Sequence, residues 1–113
     1  MKKSDIHIDI TLDDNFVCEK IVWNASDKPV KGAEEAKALS LAIWDRSGLG
    51  TAKIDLWTKD MEVQEMKQFV LETIAGMADT IRKATGDELM AAEMEELCRH
   101  QTKRLERELR DMM

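Results

Sequence analysis

Hydrophobic and polar residues alternate strictly at the start of this chain and recur at helical spacing towards its end. Ile6, Ile8, Ile10 and Leu12 line one side of an extended segment, with His7, Asp9, Thr11 and Asp13 on the other. A period of two predicts a half-buried strand with one solvated face. Asp13-Asp14-Asn15 reads as a turn, because these side chains hydrogen-bond back to their own backbone. Glu19 to Ala25 alternates again, with Ile21, Trp23 and Ala25 on one face. Ser26 to Gly32 contains the only proline and ends in glycine, so it reads as a polar loop.

Residues 33–45, AEEAKALSLAIWD, carry two patterns at once. Good helix formers dominate, and Ala36, Leu39 and Ile43 fit a helical stripe. Leu39, Leu41 and Ile43 also alternate with Ala38, Ser40, Ala42 and Trp44. The next residues favour the second pattern. Arg46 to Gly50 is a short glycine-containing turn, and Thr51 to Thr58 alternates once more, so the pair predicts a β-hairpin. Residues 36–45 are therefore read as a strand, with a helical turn around Ala33–Ala36.

After Thr58 the period changes. Asp60 is placed as an N-cap, and Glu62 and Glu65 follow where a helix N-terminus favours anions. Val63, Met66, Val70, Ile74, Met77 and Ile81 form an apolar stripe. Gly76 within it is read as the mark of a close helix contact. Gly86 suits a left-handed helix end and Asp87 the cap of a second helix. That helix carries Leu89, Met90, Met94, Leu97, Gln101, Leu105, Leu109 and Met112. The predicted fold is a two-layer α+β domain: a four-stranded antiparallel sheet followed by two helices packed on one face. Residues 1–100 are expected to form the domain and 101–113 a charged helical extension. Leu105, Leu109 and Met112 are the candidate oligomerisation residues there.

Composition changes this picture little. A chain of 113 residues with 43% hydrophobic and 35% charged residues fits one core under a strongly charged surface. The net charge of −6 argues against nucleic acid as a partner. Residues 1–98 hold 12 Lys/Arg against 20 Asp/Glu, and residues 99–113 hold five against three. The reversal reads as cations at a helix C-terminus. Neither an apolar leader nor a membrane-length run is present, which leads us to expect a cytoplasmic protein that is not an integral membrane protein. Cys18 and Cys98 match no metal or redox spacing and are expected to be reduced thiols.

No catalytic, cofactor or metal signature stands out. His7 with Asp9 suggests a metal or acid–base pair, but both lie on a carboxylate-rich solvated face. Glu96 and His100 are one helical turn apart and lack a third ligand of defined spacing. The reading is of a non-enzyme without cofactors. The hairpin offers more: Trp44 and Trp57 fall on the face opposite Ile43, Ile54 and Leu56, beside Lys53 and Asp55. A sheet covered on one side leaves that face open, so these four residues form a candidate partner-binding surface.

The segments DIHIDITLDDN, EKIVWNASD and AKALSLAIWD, and above all residues 54–86 with IDLWTKDM, EMK, MADT and RKATG, resemble the gliding-motility protein GldC family. The resemblance runs from about Ser4 to Arg99. It implies an accessory protein of bacterial gliding and of the associated protein-secretion machinery, with protein partners in that apparatus. It brings no catalytic residues. Four strands followed by two helices is also similar in order to the SecB-like export chaperones, which makes a holdase one alternative. A structural homo-oligomer formed through the last helix is the other.

Overall fold

A computed structural model describes residues 1–112. Five strands precede two helices: β1 (Ile6–Leu12), β2 (Cys18–Ala25), β3 (Glu34–Ala36), β4 (Ala38–Trp44), β5 (Thr51–Trp57), α1 (Val63–Thr85) and α2 (Glu88–Asp111). The chain divides into two compact units, one ending at Met61 and the other beginning at Glu62.

In the first unit every strand pairing is antiparallel, in two sheets of order β1-β2-β3 and β4-β5. The α+β class stands, but the single four-stranded sheet does not. The expected third strand is split at Lys37, between β3 and β4. Its first part pairs with β2 (Ile21 opposite Ala36) and its second with β5 (Ala38 opposite Trp57). The buried residue Thr58 holds the bend. Its N–H donates to the Lys37 carbonyl at 2.8 Å and its hydroxyl to Asp60 Oδ1 at 2.5 Å. The Lys59 N–H donates to the Cys18 carbonyl at 3.1 Å, fastening the end of β5 to the start of β2.

Two expectations fail here. The helical turn around Ala33–Ala36 is strand, because pairing with β2 outweighs the helix propensity of AEEA. Asp60 does not cap α1, because its carboxylate is taken by Thr58. The N-cap is Glu62, whose N–H donates to Glu65 Oε1 at 3.0 Å, one half of a capping box.

The apolar face of this unit follows the predicted alternation. Ile6, Ile8, Ile10 and Leu12 stand opposite Ala25, Trp23, Ile21 and Cys18. Ile21, 1% exposed, is the largest fully buried side chain, and Cys18 is buried beside this row. Asp13 closes the β1–β2 turn, with Oδ1 accepting from the N–H groups of Asn15 and Val17 at 2.8 and 3.0 Å. The β2–β3 loop is anchored by Lys28, whose side chain is 4% exposed. Its ammonium lies 4.9 Å from the Trp23 ring centroid and 3.2 Å from Glu34 Oε2.

The second unit is an antiparallel helical hairpin. Gly86 ends α1 at φ 74°, and the Asp87 side chain accepts from the Met90 N–H at 3.0 Å to start α2. The buried seam is Ala78 against Ala91, Cys98 and Leu105. Leu105 belongs to the predicted stripe of α2, while Ala78, Ala91 and Cys98 lie outside the predicted stripes. Three of the four are small residues. The Cys98 thiol donates to the Leu71 carbonyl at 3.5 Å. Gly76 marks no close contact, since a Cβ there would meet nothing within 4 Å. Ion pairs flank the seam: Arg82 reaches Glu88 at 3.0 Å and Glu95 at 2.6 Å, and Lys67 reaches Glu108 at 2.8 Å.

Candidate functional site

The β4–β5 hairpin presents the predicted polar face. Antiparallel register puts Trp44 opposite Thr51, Ala42 opposite Lys53, Ser40 opposite Asp55 and Ala38 opposite Trp57. Directly opposed residues share a face, so the four candidate residues lie on one side with Ser40. Leu39, Leu41, Ile43, Ile54 and Leu56 lie on the other. Trp44 is 68% exposed and Trp57 55%.

The two indoles do not touch along one chain. They stand at opposite ends of the hairpin, about 20 Å apart at ~3.3 Å per residue. A polar cluster lies between them. Asp55 accepts from Lys53 Nζ and from the Ser40 hydroxyl, each at 2.8 Å. The Lys53 ammonium, then Ser40, lowers the Asp55 pKa. Sequence reasoning overlooked Ser40, although its place in the alternation put it on the Asp55 face. The turn beyond is fixed locally. Asp45 Oδ2 accepts from the Ser47 N–H at 3.1 Å and from its hydroxyl, and Gly48 takes φ 78°.

The remaining charged clusters have structural explanations. Lys59 bridges Asp13 at 2.7 Å and Glu19 at 3.2 Å, joining the β1–β2 turn to the end of β5. The Lys59 ammonium, aided by the turn N–H groups, holds the Asp13 carboxyl at about 2. His7 Nε2 lies 3.1 Å from Asp9 Oδ1 with both side chains largely exposed. Glu96 takes an ion pair from Arg99 at 2.5 Å. Among the described residues, no group of three or more His, Cys, Asp or Glu is placed to hold a metal ion.

The helical hairpin exposes apolar side chains beside a shallow concavity. Met66 and Val70 of α1 line a concavity of about 300 Å³ with Gln101 and Arg104 of α2. Helical spacing places Val63 and Met77, and Met90 and Leu97 of α2, on that same side; all four are exposed. The opposite side has a second concavity, where Leu71, Ala75 and Leu109 stand among Gln68, Glu72, Thr102 and Glu106. Of the candidate oligomerisation residues, Leu105 is buried in the seam, while Leu109 and Met112 are exposed. Met112 Sδ accepts from Gln64 Nε2 at 3.3 Å. Residues 101–111 continue α2 without a break.

The gliding motility-associated GldC-like family matches residues 18–107, which span β2 to the last turns of α2. The chain belongs to this family. The association with gliding motility follows from that membership, and the match extends past Arg99 into residues read as an extension. No curated protein and no solved structure matches the chain. Among the described residues, no helix is long and apolar enough to cross a membrane.

Proposed function

We propose that this GldC-like chain is a non-enzymatic, cytoplasmic accessory protein of the gliding machinery and of its associated protein-secretion system. It acts by binding a protein component of that apparatus. The observation that carries the reading is the Trp44/Trp57 face, where two large side chains stand more than half exposed beside a charge-neutral polar cluster. Tryptophan is among the residues enriched at interface hot spots, and both indoles stand on one face of the hairpin. The non-enzymatic part of the reading is supported by the charged groups. Each perturbed carboxylate named above is explained by an ion pair or a turn rather than by a cleft.

The test is affinity capture of the tagged chain from a gliding cell, read by mass spectrometry. Wild type is expected to retain a gliding or secretion component that the double variant Trp44→Ala/Trp57→Ala loses. Retention of every partner by the variant removes this face from the account.

A second reading, a holdase for exported chains, draws on the exposed apolar side of the α1–α2 hairpin. It predicts that several unrelated unfolded substrates are kept from aggregating. Binding of one native partner without that suppression eliminates it.

A further inference from the structure

β5 has an unpaired edge. Its strand partner is β4 alone, and no backbone hydrogen bond of residues 51–57 runs to any other segment among the described residues. The direction of its backbone groups follows from the bonds just beyond each end. The Asp45 N–H donates to the Gly50 carbonyl, and the Thr58 N–H to the Lys37 carbonyl. Hydrogen-bonded pairs alternate along an antiparallel ladder, so Ala52, Ile54 and Leu56 bond inward to β4. Thr51, Lys53, Asp55 and Trp57 therefore direct their N–H and C=O groups outward.

Natural edges are blunted by prolines, bulges, charged side chains or a covering segment. β5 has no proline, its pairing with β4 carries no register shift, and its one lysine is neutralised by Asp55. The strand is also self-complementary. Turned about Ile54, it sets Lys53 against a second Asp55, Ala52 against a second Leu56, and Thr51 against a second Trp57. This register overlaps the whole strand, and it also pairs outward-directed residues with outward-directed residues. Charge, overlap and hydrogen-bond parity select the same alignment.

We propose that β5 pairs antiparallel with β5 of a second copy about a two-fold axis at Ile54, joining two β4–β5 hairpins into one continuous sheet. Each copy then completes the other's tryptophan surface. Trp57 stands across from the partner's Thr51, whose other neighbour is the partner's Trp44. Two indoles about 20 Å apart along one chain come within two strand spacings, about 10 Å, across a small threonine. The pairing itself is independent of the proposed partner binding; only the use of the completed surface rests on that reading.

The test uses the full-length purified chain. Lys53→Asp gives a copy with two carboxylates on this face, and Asp55→Lys gives one with two ammonium groups. Light scattering is expected to return twice 12.9 kDa for wild type. Each variant alone should return the single-chain mass, and an equimolar mixture should return the doubled mass. The mixture isolates the contact between copies, because neither variant keeps the ion pair within its own strand. A wild type of single-chain mass overturns the proposal. So does either variant that stays doubled alone, or a mixture of two folded variants that does not associate.

Should either variant fail to fold, Ile54→Cys supplies the second test. Two cysteines facing each other at a non-hydrogen-bonded pair have Cα atoms about 4.5 Å apart, within disulfide range. Cys18 and Cys98 are buried and leave the background low. Oxidation is expected to link Ile54→Cys copies while leaving Lys53→Cys copies unlinked. Equal linkage of the two sinks the register. Capture of the gliding component is read separately, so losing the partner leaves the pairing intact, and the reverse also holds.

Discussion

Replacing Ile21 by alanine tests where the first unit is held together. Ile21 is 1% exposed and sits between Ile10 of β1 and Ala36 of β3. The change removes Cγ1, Cγ2 and Cδ1. At about 0.8 kcal/mol per buried carbon group, the transfer contribution is roughly 2.5 kcal/mol. An unfilled cavity adds to this, and Ile→Ala costs about 2–5 kcal/mol in packed cores. The neighbouring Ile10 and Leu12 are partly exposed and free to relax inward, which places the expected loss near 3 kcal/mol. For a domain of this size that corresponds to a fall in Tm of about 12 °C or more. The control is Ile6→Ala on the same sheet face, in β1. Ile6 is 76% exposed, so its loss is expected to stay under about 0.5 kcal/mol. Both are measured by urea unfolding followed by far-UV circular dichroism. If Ile21→Ala costs no more than Ile6→Ala, the first unit is not centred on Ile21 and the face assignment of β2 is wrong.

Three further outcomes are expected. Asp13 is held at about 2 by Lys59 against an ordinary value of 3.8. Its folded pKa lies below its unfolded one, so its stabilisation is complete above pH 3.8 and is lost as pH falls through about 2. The gap in urea midpoint between wild type and Lys59→Met should therefore close over that window; a gap unchanged at the acid end refutes the pairing. Gly86→Ala, at φ 74°, should cost about 1 kcal/mol in chemical denaturation, and Gly86→Asn distinctly less. Asp87→Ala should cost about 1 kcal/mol by removing the acceptor for the Met90 N–H, and an unchanged midpoint would exclude that cap.

The elements whose character is local could be read from the chain alone. Strict alternation located β1, β2 and β5, because a period of two requires no knowledge of any partner. Gly86 and Asp87 marked the break between the helices, because the left-handed conformation and the cap hydrogen bond are properties of a few adjacent residues. The face shared by Trp44, Lys53, Asp55 and Trp57 followed from alternation once the hairpin was assumed. Family membership was legible too, in the long run of residues 54–86 and in the match over residues 18–107.

What the tertiary structure decided was which partner each segment meets. Residues 34–36 become strand because β2 lies beside them, against their helix propensity. The sheet divides at Lys37 because Thr58, 21 residues away, bonds to its carbonyl. The Thr58 hydroxyl bonds to Asp60, and α1 is capped by Glu62 instead. In the helical hairpin, periodicity identified apolar residues but could not rank one face over its neighbour. Packing between the helices buries Ala78, Ala91, Cys98 and Leu105, and leaves Val63, Val70 and Met77 at the surface. Apart from the Thr58–Asp60 bond, which is local, these outcomes depend on contacts distant in sequence, and no local pattern encodes the competition between them.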